Sequence, residues 1–194
     1  VTDEELVERA RSGDSGAFSE LVVRHHRAAL RAAMAALGSA DAAEDAVQEA
    51  WILARARLAG FRREAKFRTW LLSIVWNKAL DHRRSVMRLV RRLVSLDESP
   101  SDAGGEPRSL VSARSTSDAS PEEGLLHDEL RRTLAGLVKA LPARLRDPLL
   151  LVGTGEYSYD EVATMLRQPV GTVKWRVSDA RRQIRIKLER LGLR

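Results

Sequence analysis

The 194-residue chain contains no cysteine. That absence excludes disulfide scaffolds, thiolate zinc sites, cysteine nucleophiles and iron–sulfur clusters together, and it is compatible with a reducing compartment. No apolar run approaches the ~20 residues that a membrane span requires. The N-terminus, VTDEELVER, is acidic where a secretory leader would be basic and then apolar. A cytoplasmic protein without membrane insertion is the expectation. No segment repeats, and strand-type alternation bounded by turns does not occur. Signatures of catalysis are missing too. His25, His26, His82 and His127 have no metal-ligand spacing, no glycine loop is built to cradle phosphate, and neither Gly-x-Ser-x-Gly nor a paired-carboxylate pattern stands out. The sequence therefore predicts no catalytic residue, no metal, no cofactor and no enzyme. What is present is 44% hydrophobic and 31% charged, the balance of a globular protein able to bury a core.

The formal net charge of +6 is modest, but it is laid out in blocks. Residues 1–50 carry 5 basic and 10 acidic side chains, 51–92 carry 12 and 2, 93–129 carry 2 and 9, and 130–194 carry 14 and 6. Basic runs are often only solvated faces. A strict alternation of this size instead points to two anion-binding surfaces and at least one surface for a basic partner. From Ser95 to Pro121 the apolar periodicity stops and Ser, Pro, Gly and Asp dominate. About 25 residues of that composition exceed the usual connection inside a domain. The expected division is a domain at 1–92, a flexible acidic linker at 93–121 and a second domain at 122–194.

The first domain reads as entirely helical. Phe18, Leu21, Val22, His25, Ala29, Ala32 and Ala36 recur at three and four and make one stripe. Gly38-Ser39 breaks it, and Asp41 with Glu44 three residues on resembles a capping box opening a second helix. Ala43, Val47, Ala50, Ala54 and Leu58 then face one way, and Asp41, Glu44, Asp45, Gln48 and Arg55 the other. Favourable placement near a helix N-terminus accounts for Asp41 and Glu44, but less well for Asp45 and Glu49. After Gly60 comes a basic, aromatic loop, FRREAKF, and Thr69 is expected to open a third helix that is apolar almost all round. Such a helix is usually core. Trp70 and Trp76, with Asn77, Lys78, Asp81, Arg83 and Arg84, equally suit single-stranded nucleic acid, where bases stack on rings and cations neutralise the backbone. The residues alone leave both readings open.

In the second domain, Leu125 to Leu141 form an amphipathic helix ending at Pro142, and RLRDPLLLV is a short helix stopped by Gly153 and Gly155. Ser158 with Glu161 is a capping box for YDEVATML, RQPVG is a tight connection, and TVKWRVSDARRQIRIKLERL is a long final helix. This is a helix-turn-helix pattern. Val173, Val177, Ala180, Ile184, Leu188 and Leu191 form its expected buried stripe, with Lys174, Ser178, Arg181 and Arg185 along another face. Early residues of such a helix reach base edges and later ones meet phosphates. Lys174, Trp175, Arg176 and Ser178 are thus the base-contact candidates, and Arg181 and Arg182 are better placed for backbone. A solvated basic face is the plainer alternative.

Taken together, DAAEDAVQEAWILARARLAGF resembles region 2.2 of the extracytoplasmic-function (ECF) sigma factors, the two-domain members of the sigma-70 family. FRTWLLSIVWNKALDHRR resembles their regions 2.3 and 2.4, and LPARLRDPLLL followed by YSYDEVATMLRQPVGTVKWRVSDARRQIR resembles region 4. The resemblance implies an all-α fold of two small helical domains, a region 2 bundle and a region 4 helix-turn-helix, joined by a flexible linker. It implies an alternative sigma factor that binds core RNA polymerase at the clamp helices of the largest subunit and at the flap. Such a factor directs promoter-specific initiation and is commonly held by an anti-sigma factor. Asp41, Glu44, Asp45, Gln48, Glu49 and Trp51 would dock on polymerase. Phe61, Arg62, Arg63, Lys66, Phe67, Trp70, Asn77, Lys78, Asp81, Arg83 and Arg84 would recognise and melt the minus-10 element. Thr172, Lys174, Trp175, Arg176, Ser178, Arg181 and Arg182 would read the minus-35 element, and acidic Asp97, Glu98, Asp102 and Glu106 would thread toward the polymerase active site.

Departures from the family pattern are Trp175 for a usual small serine, Asp179 where a basic or aromatic residue is frequent, Trp76 for an often basic residue, and a polar, glycine-rich Gly153–Glu156 turn. An acid at 179 would repel phosphate but accept from cytosine N4. The chain stops soon after the last helix, so no further C-terminal regulatory domain is expected. A self-sufficient helix-turn-helix repressor or activator, dimerising through its first half, is the alternative. The basic, Trp-bearing block argues against it.

Overall fold

The structure, a computed structural model, describes residues 1–96 and 121–193, with side chains for 1–88 and 129–193. All regular structure among the described residues is helical. The chain divides into two compact units, Val1–Val111 and Ser112–Arg194. The expected linker, with Asp97, Glu98, Asp102 and Glu106, lies outside the described residues except at 93–96, which belong to a helix.

The first unit begins with a helix that spacing did not announce, α1 (Asp3–Arg11). Thr2 caps it reciprocally: its hydroxyl accepts the Glu5 N–H at 3.2 Å, and the Glu5 carboxylate accepts the Thr2 N–H at 2.9 Å. Gly13, at φ +95°, turns the chain so that Asp14 can cap α2 (Ser15–Leu37) through the Ala17 N–H at 3.0 Å. That bond and the adjacent Arg9 guanidinium hold the Asp14 carboxyl below its ordinary range. The α2 stripe packs as its spacing predicts, with Phe18, Leu21, His25, Ala29, Ala32 and Ala36 buried and Val22 half-buried. His25 is a satisfied core histidine, its Nε2 lying 2.7 Å from an Asp3 carboxylate oxygen on α1. Gly38, in the left-handed region at φ +70°, ends α2 by donating to the Met34 carbonyl at 2.8 Å.

The second long helix, α3 (Ala40–Arg57), starts one residue before the expected cap. Its N-cap is Ser39, which makes no side-chain cap bond, and Asp41 is already inside the first turn. The Asp41–Glu44 pattern is therefore a first-turn carboxylate favoured by the helix dipole and not a capping box. Ala43, Val47, Ala50 and Ala54 are buried as expected, and a 3₁₀ turn over Leu58–Gly60 buries Leu58. The third long helix, α4 (Phe67–Leu96), opens two residues before Thr69, which is itself buried. Leu71, Leu72, Ile74, Val75, Trp76 and Ala79 are all buried because α4 packs against both α2 and α3, leaving its first turns only a narrow outer edge at Arg68, Trp70 and Ser73.

In the second unit, α5 (Pro121–Lys139) packs on the last helix. α6 (Ala143–Gly153), α7 (Tyr159–Leu166) and α8 (Val170–Arg190) pack on one another. Leu141, Leu145 and Ala180 form the core that joins α6 to α8, with Leu149 and Ile184 against it. The glycine-rich turn after α6 is tied by the Thr154 hydroxyl, which donates to the Leu151 carbonyl at 2.8 Å and accepts the Glu156 N–H at 3.3 Å. Buried Tyr157 closes it. Ser158 and Glu161 make the expected capping box, so α7 occupies the predicted YDEVATML. Arg167 ends α7 at φ 53°, a conformation that usually takes glycine, and Gln168 N–H donates to the Ala163 carbonyl at 2.9 Å. Pro169 follows, and this turn sets the crossing of α7 and α8. The α8 stripe is deepest at Val173, Val177 and Ala180, half-buried at Ile184 and Leu188, and lost at Leu191, which lies beyond the helix and is 58% exposed.

Candidate functional site

Asp41, Glu44, Asp45, Gln48 and Glu49 are all exposed along one side of α3, because the alanine stripe on the opposite side takes the helix into the core. Trp51 does not join them. It is 7% exposed and meets Phe18 edge to face at 5.8 Å, so it is a core residue and no docking contact. The next residue, Ile52, takes the outward place: it is 66% exposed, one helical turn beyond Gln48 and Glu49. Sequence reasoning missed Ile52 by preferring the larger apolar neighbour, although the spacing of four from Gln48 marked it. Arg55, expected on the outward face, is exposed with its guanidinium 5.2 Å from the Phe18 ring centroid.

The aromatic loop and α4 resolve the choice between core and nucleic acid residue by residue. Phe61 and Phe67 are 6% and 3% exposed, so both are core and not stacking platforms. Trp70 packs on them at 4.9 and 5.7 Å and is half-buried, which leaves it as the aromatic of this cluster that reaches the surface. Trp76 is 1% exposed, with its indole N–H unpaired, and cannot touch a promoter. Arg62 and Lys66 are exposed, whereas Arg63, at φ 58°, reaches Glu8 of α1. That contact and Arg11, chiefly the Arg11 hydrogen bond, hold the Glu8 carboxyl below its ordinary range.

Further along α4, Asn77 donates to the Ser73 carbonyl at 2.8 Å and Arg84 pairs with Asp81 at 3.0 Å. Arg83 reaches the Ala36 carbonyl at 3.4 Å. Lys78 Nζ lies 3.0 Å from the Glu49 carboxylate. The structure thus joins one residue expected at DNA to one expected at polymerase, across two helices.

On α8, Thr172 and Arg176 are half-buried, and Lys174, Trp175, Ser178, Arg181 and Arg182 are exposed. Arg176 donates to the Gln168 side chain at 2.6 Å, bracing the α7–α8 turn. The Asp179 carboxylate accepts from Arg182 and from Gln183 at 2.9 Å, so its charge is matched on its own helix. The Arg182 hydrogen bond is the main cause holding its carboxyl below the ordinary range.

Two family profiles match in chain order: Sigma-70 region 2 over residues 21–96, which spans most of α2 through α4, and Sigma-70 region 4 over residues 131–184. The RNA polymerase sigma-H factor of Pseudomonas aeruginosa is 34% identical over 183 residues, 94% of this chain and 91% of the relative. The chain belongs to the sigma-70 family. It is of the ECF type: the ECF RNA polymerase sigma-E factor of Escherichia coli K12 is 34% identical over 196 residues, 98% of this chain and 96% of that one.

The fold of this ECF sigma factor is also that of CnrH, solved with the cytosolic domain of CnrY. That match has a TM-score of 0.63 and 24% identity, and covers 96% of this chain and 97% of that one. Bartonella quintana RpoE, solved with the anti-sigma factor NepR, matches at TM-score 0.61 and 22% identity over 89% and 96% of the two chains. The chain is therefore an alternative sigma factor that directs transcription, built as two helical domains. Among the described residues no helix is long and apolar enough to cross a membrane, and no cluster of side chains is fit to hold a metal ion.

Proposed function

We propose that this sigma factor docks on core RNA polymerase through the exposed row of α3, with Asp41, Glu44, Asp45 and Gln48 meeting basic clamp helices and Ile52 supplying the apolar centre. The observation that carries this reading is the row itself: exposed carboxylates and one large apolar side chain on the side of α3 turned away from the first unit's core. A desolvated apolar anchor rimmed by charge is the usual anatomy of a specific interface, with the charge setting register and on-rate. Around Trp70, exposed Arg62 and Lys66 and the polar turn of α4 from Asn77 to Arg84 suit an unwound minus-10 strand, whose bases stack and whose phosphates need cations. The α8 helix would read the minus-35 element, and polymerase would supply the chemistry. An anti-sigma partner would cover these same faces, and one such partner, NepR, accompanies the structural relative from Bartonella quintana.

Run-off transcription with bacterial core polymerase, with and without the chain, tests this. New start sites sharing two short upstream elements are expected. Asp45→Arg should lower affinity for core about tenfold, by turning an attractive charge repulsive, while duplex binding by the full chain stays unchanged. Absence of new starts, with tight duplex binding by the chain alone, would favour an operator-binding regulator instead.

A further inference from the structure

We infer that Trp175 reads a thymine methyl group in the major groove of the upstream promoter element, selecting thymine over cytosine at one position. The inference rests on the reading that α8 is the upstream reader, and it names the chemistry of one contact there. A helix turns roughly 100° per residue. With Val173, Val177 and Ala180 buried, residue 175 points directly away from the core. It is a tryptophan, 63% exposed, within the first two turns of the helix. Those turns are the part of a helix-turn-helix reader that meets base edges.

Two rows run along this outward side of the helix, one of them through Trp175. Lys174, Ser178, Arg181 and Arg185 are exposed along one edge, and its three cations, which make no ion pair among the described residues, suit the phosphates. Gly171, Trp175, Asp179 and Arg182 make the other row, where the Asp179–Arg182 pair cancels its own charge. Gly171, one turn before Trp175, has open space where a Cβ would stand. The indole is therefore unobstructed in a row that carries no net attraction for phosphate.

An indole has one N–H donor and no acceptor, so it cannot make the paired hydrogen bonds by which Arg or Gln reads a base. What it offers a base edge is apolar surface. In the major groove the apolar group is the C5-methyl of thymine, and next to it the O4 acceptor suits the indole N–H. Cytosine lacks the methyl and presents an amine that the ring cannot accept.

The test uses the holoenzyme on a promoter obtained by run-off selection, replacing each upstream thymine in turn, on either strand, by deoxyuridine. This removes the methyl and keeps O4. One position should lose about fourfold in binding, the worth of one buried methyl, and Trp175→Ala should lose binding on the thymine promoter but be indifferent to the replacement. A 5-methylcytosine at that position keeps the methyl and should bind less well than thymine but better than cytosine. An unchanged melting curve for Trp175→Ala establishes that folding is intact. If no deoxyuridine position matters while Lys174→Ala still weakens binding, the methyl contact is wrong and α8 remains the reader. The methyl contact is equally wrong if the deoxyuridine loss persists undiminished in Trp175→Ala. If neither Lys174→Ala nor any upstream base change has an effect, α8 is not the reader and the proposal falls with it.

Discussion

The two units treat their cations differently. On α4 of the first unit Lys78 is held by Glu49 and Arg84 by Asp81, and in the loop before it Arg63 is held by Glu8. On α8 of the second unit Lys174, Arg181 and Arg185 stand exposed along one edge, and only Arg182 is drawn to a carboxylate on its own helix. A helix with free cations meets duplex phosphate at no cost in broken contacts. Arg62 and Lys66 of the first unit are exposed in the same way, but at Arg63, Lys78 and Arg84 a strand must first exchange partners. Exposed pairs are weak, about 0–1 kcal/mol each, so the exchange is cheap, and it makes only those three contacts conditional on what else is present.

The tryptophans break the comparison most sharply. Trp76→Ala should cost about 3–5 kcal/mol by emptying the first unit's core, and Trp175→Ala should change stability by less than about 0.5 kcal/mol. Thermal or urea unfolding of both variants decides it. Trp76→Phe should recover most of the loss, because it fills the site and removes an indole N–H that has no partner. The helix caps come next. Ser158→Ala should cost about 1 kcal/mol by breaking the box on α7, whereas Ser39→Ala should be close to neutral, since Ser39 makes no cap bond on α3.

Smaller still, Glu49→Gln releases Lys78. Single-strand binding by the first unit's surface should then gain about 0.7 in the slope of log affinity against log salt, as one more phosphate is neutralised. An unchanged slope would mean that Lys78 is not at the strand. Last is the acid side of Asp179. Its carboxyl is held below the ordinary 3.8, so its stabilising contribution is full above that pH and is lost as pH falls further through the folded value. Asp179→Asn should therefore leave the melting temperature flat between pH 7 and 5 relative to the parent, with the two curves converging only in stronger acid.

Much of the second unit was legible because its boundaries are written locally: Ser158 and Glu161 start α7, and Pro169 limits where α8 begins. The same pattern at Thr2 and Glu5 went unread, and with it α1. At Asp41 and Glu44 the pattern was present without the structure, since Gly38 had already turned the chain and Ser39 held the cap position. The acidic row was readable as a spacing, yet Trp51 and Ile52 differ by one step around the helix, and only packing against Phe18 shows which one turns inward. For Trp76 and Phe67, composition allowed either core or nucleic acid, and burial between α2, α3 and α4 settled it. The Lys78–Glu49 pair joins residues 29 apart in sequence on two helices, and no periodicity encodes such a meeting.

Alanine faces line the middle of the first unit: Ala28, Ala29, Ala32, Ala33 and Ala36 from α2, and Ala43, Ala46, Ala50 and Ala54 from α3. Helices that meet through methyl groups sit toward the short end of the usual spacing of about 8–10 Å. At those alanine positions there is no long side chain whose rotamers could absorb a change. The interior therefore works as a ruler between the acidic row on α3 and the polar turns of α4, and its graduation is a single methylene. A substitution as small as Ala32→Val would shift where two outer surfaces stand relative to each other without touching either.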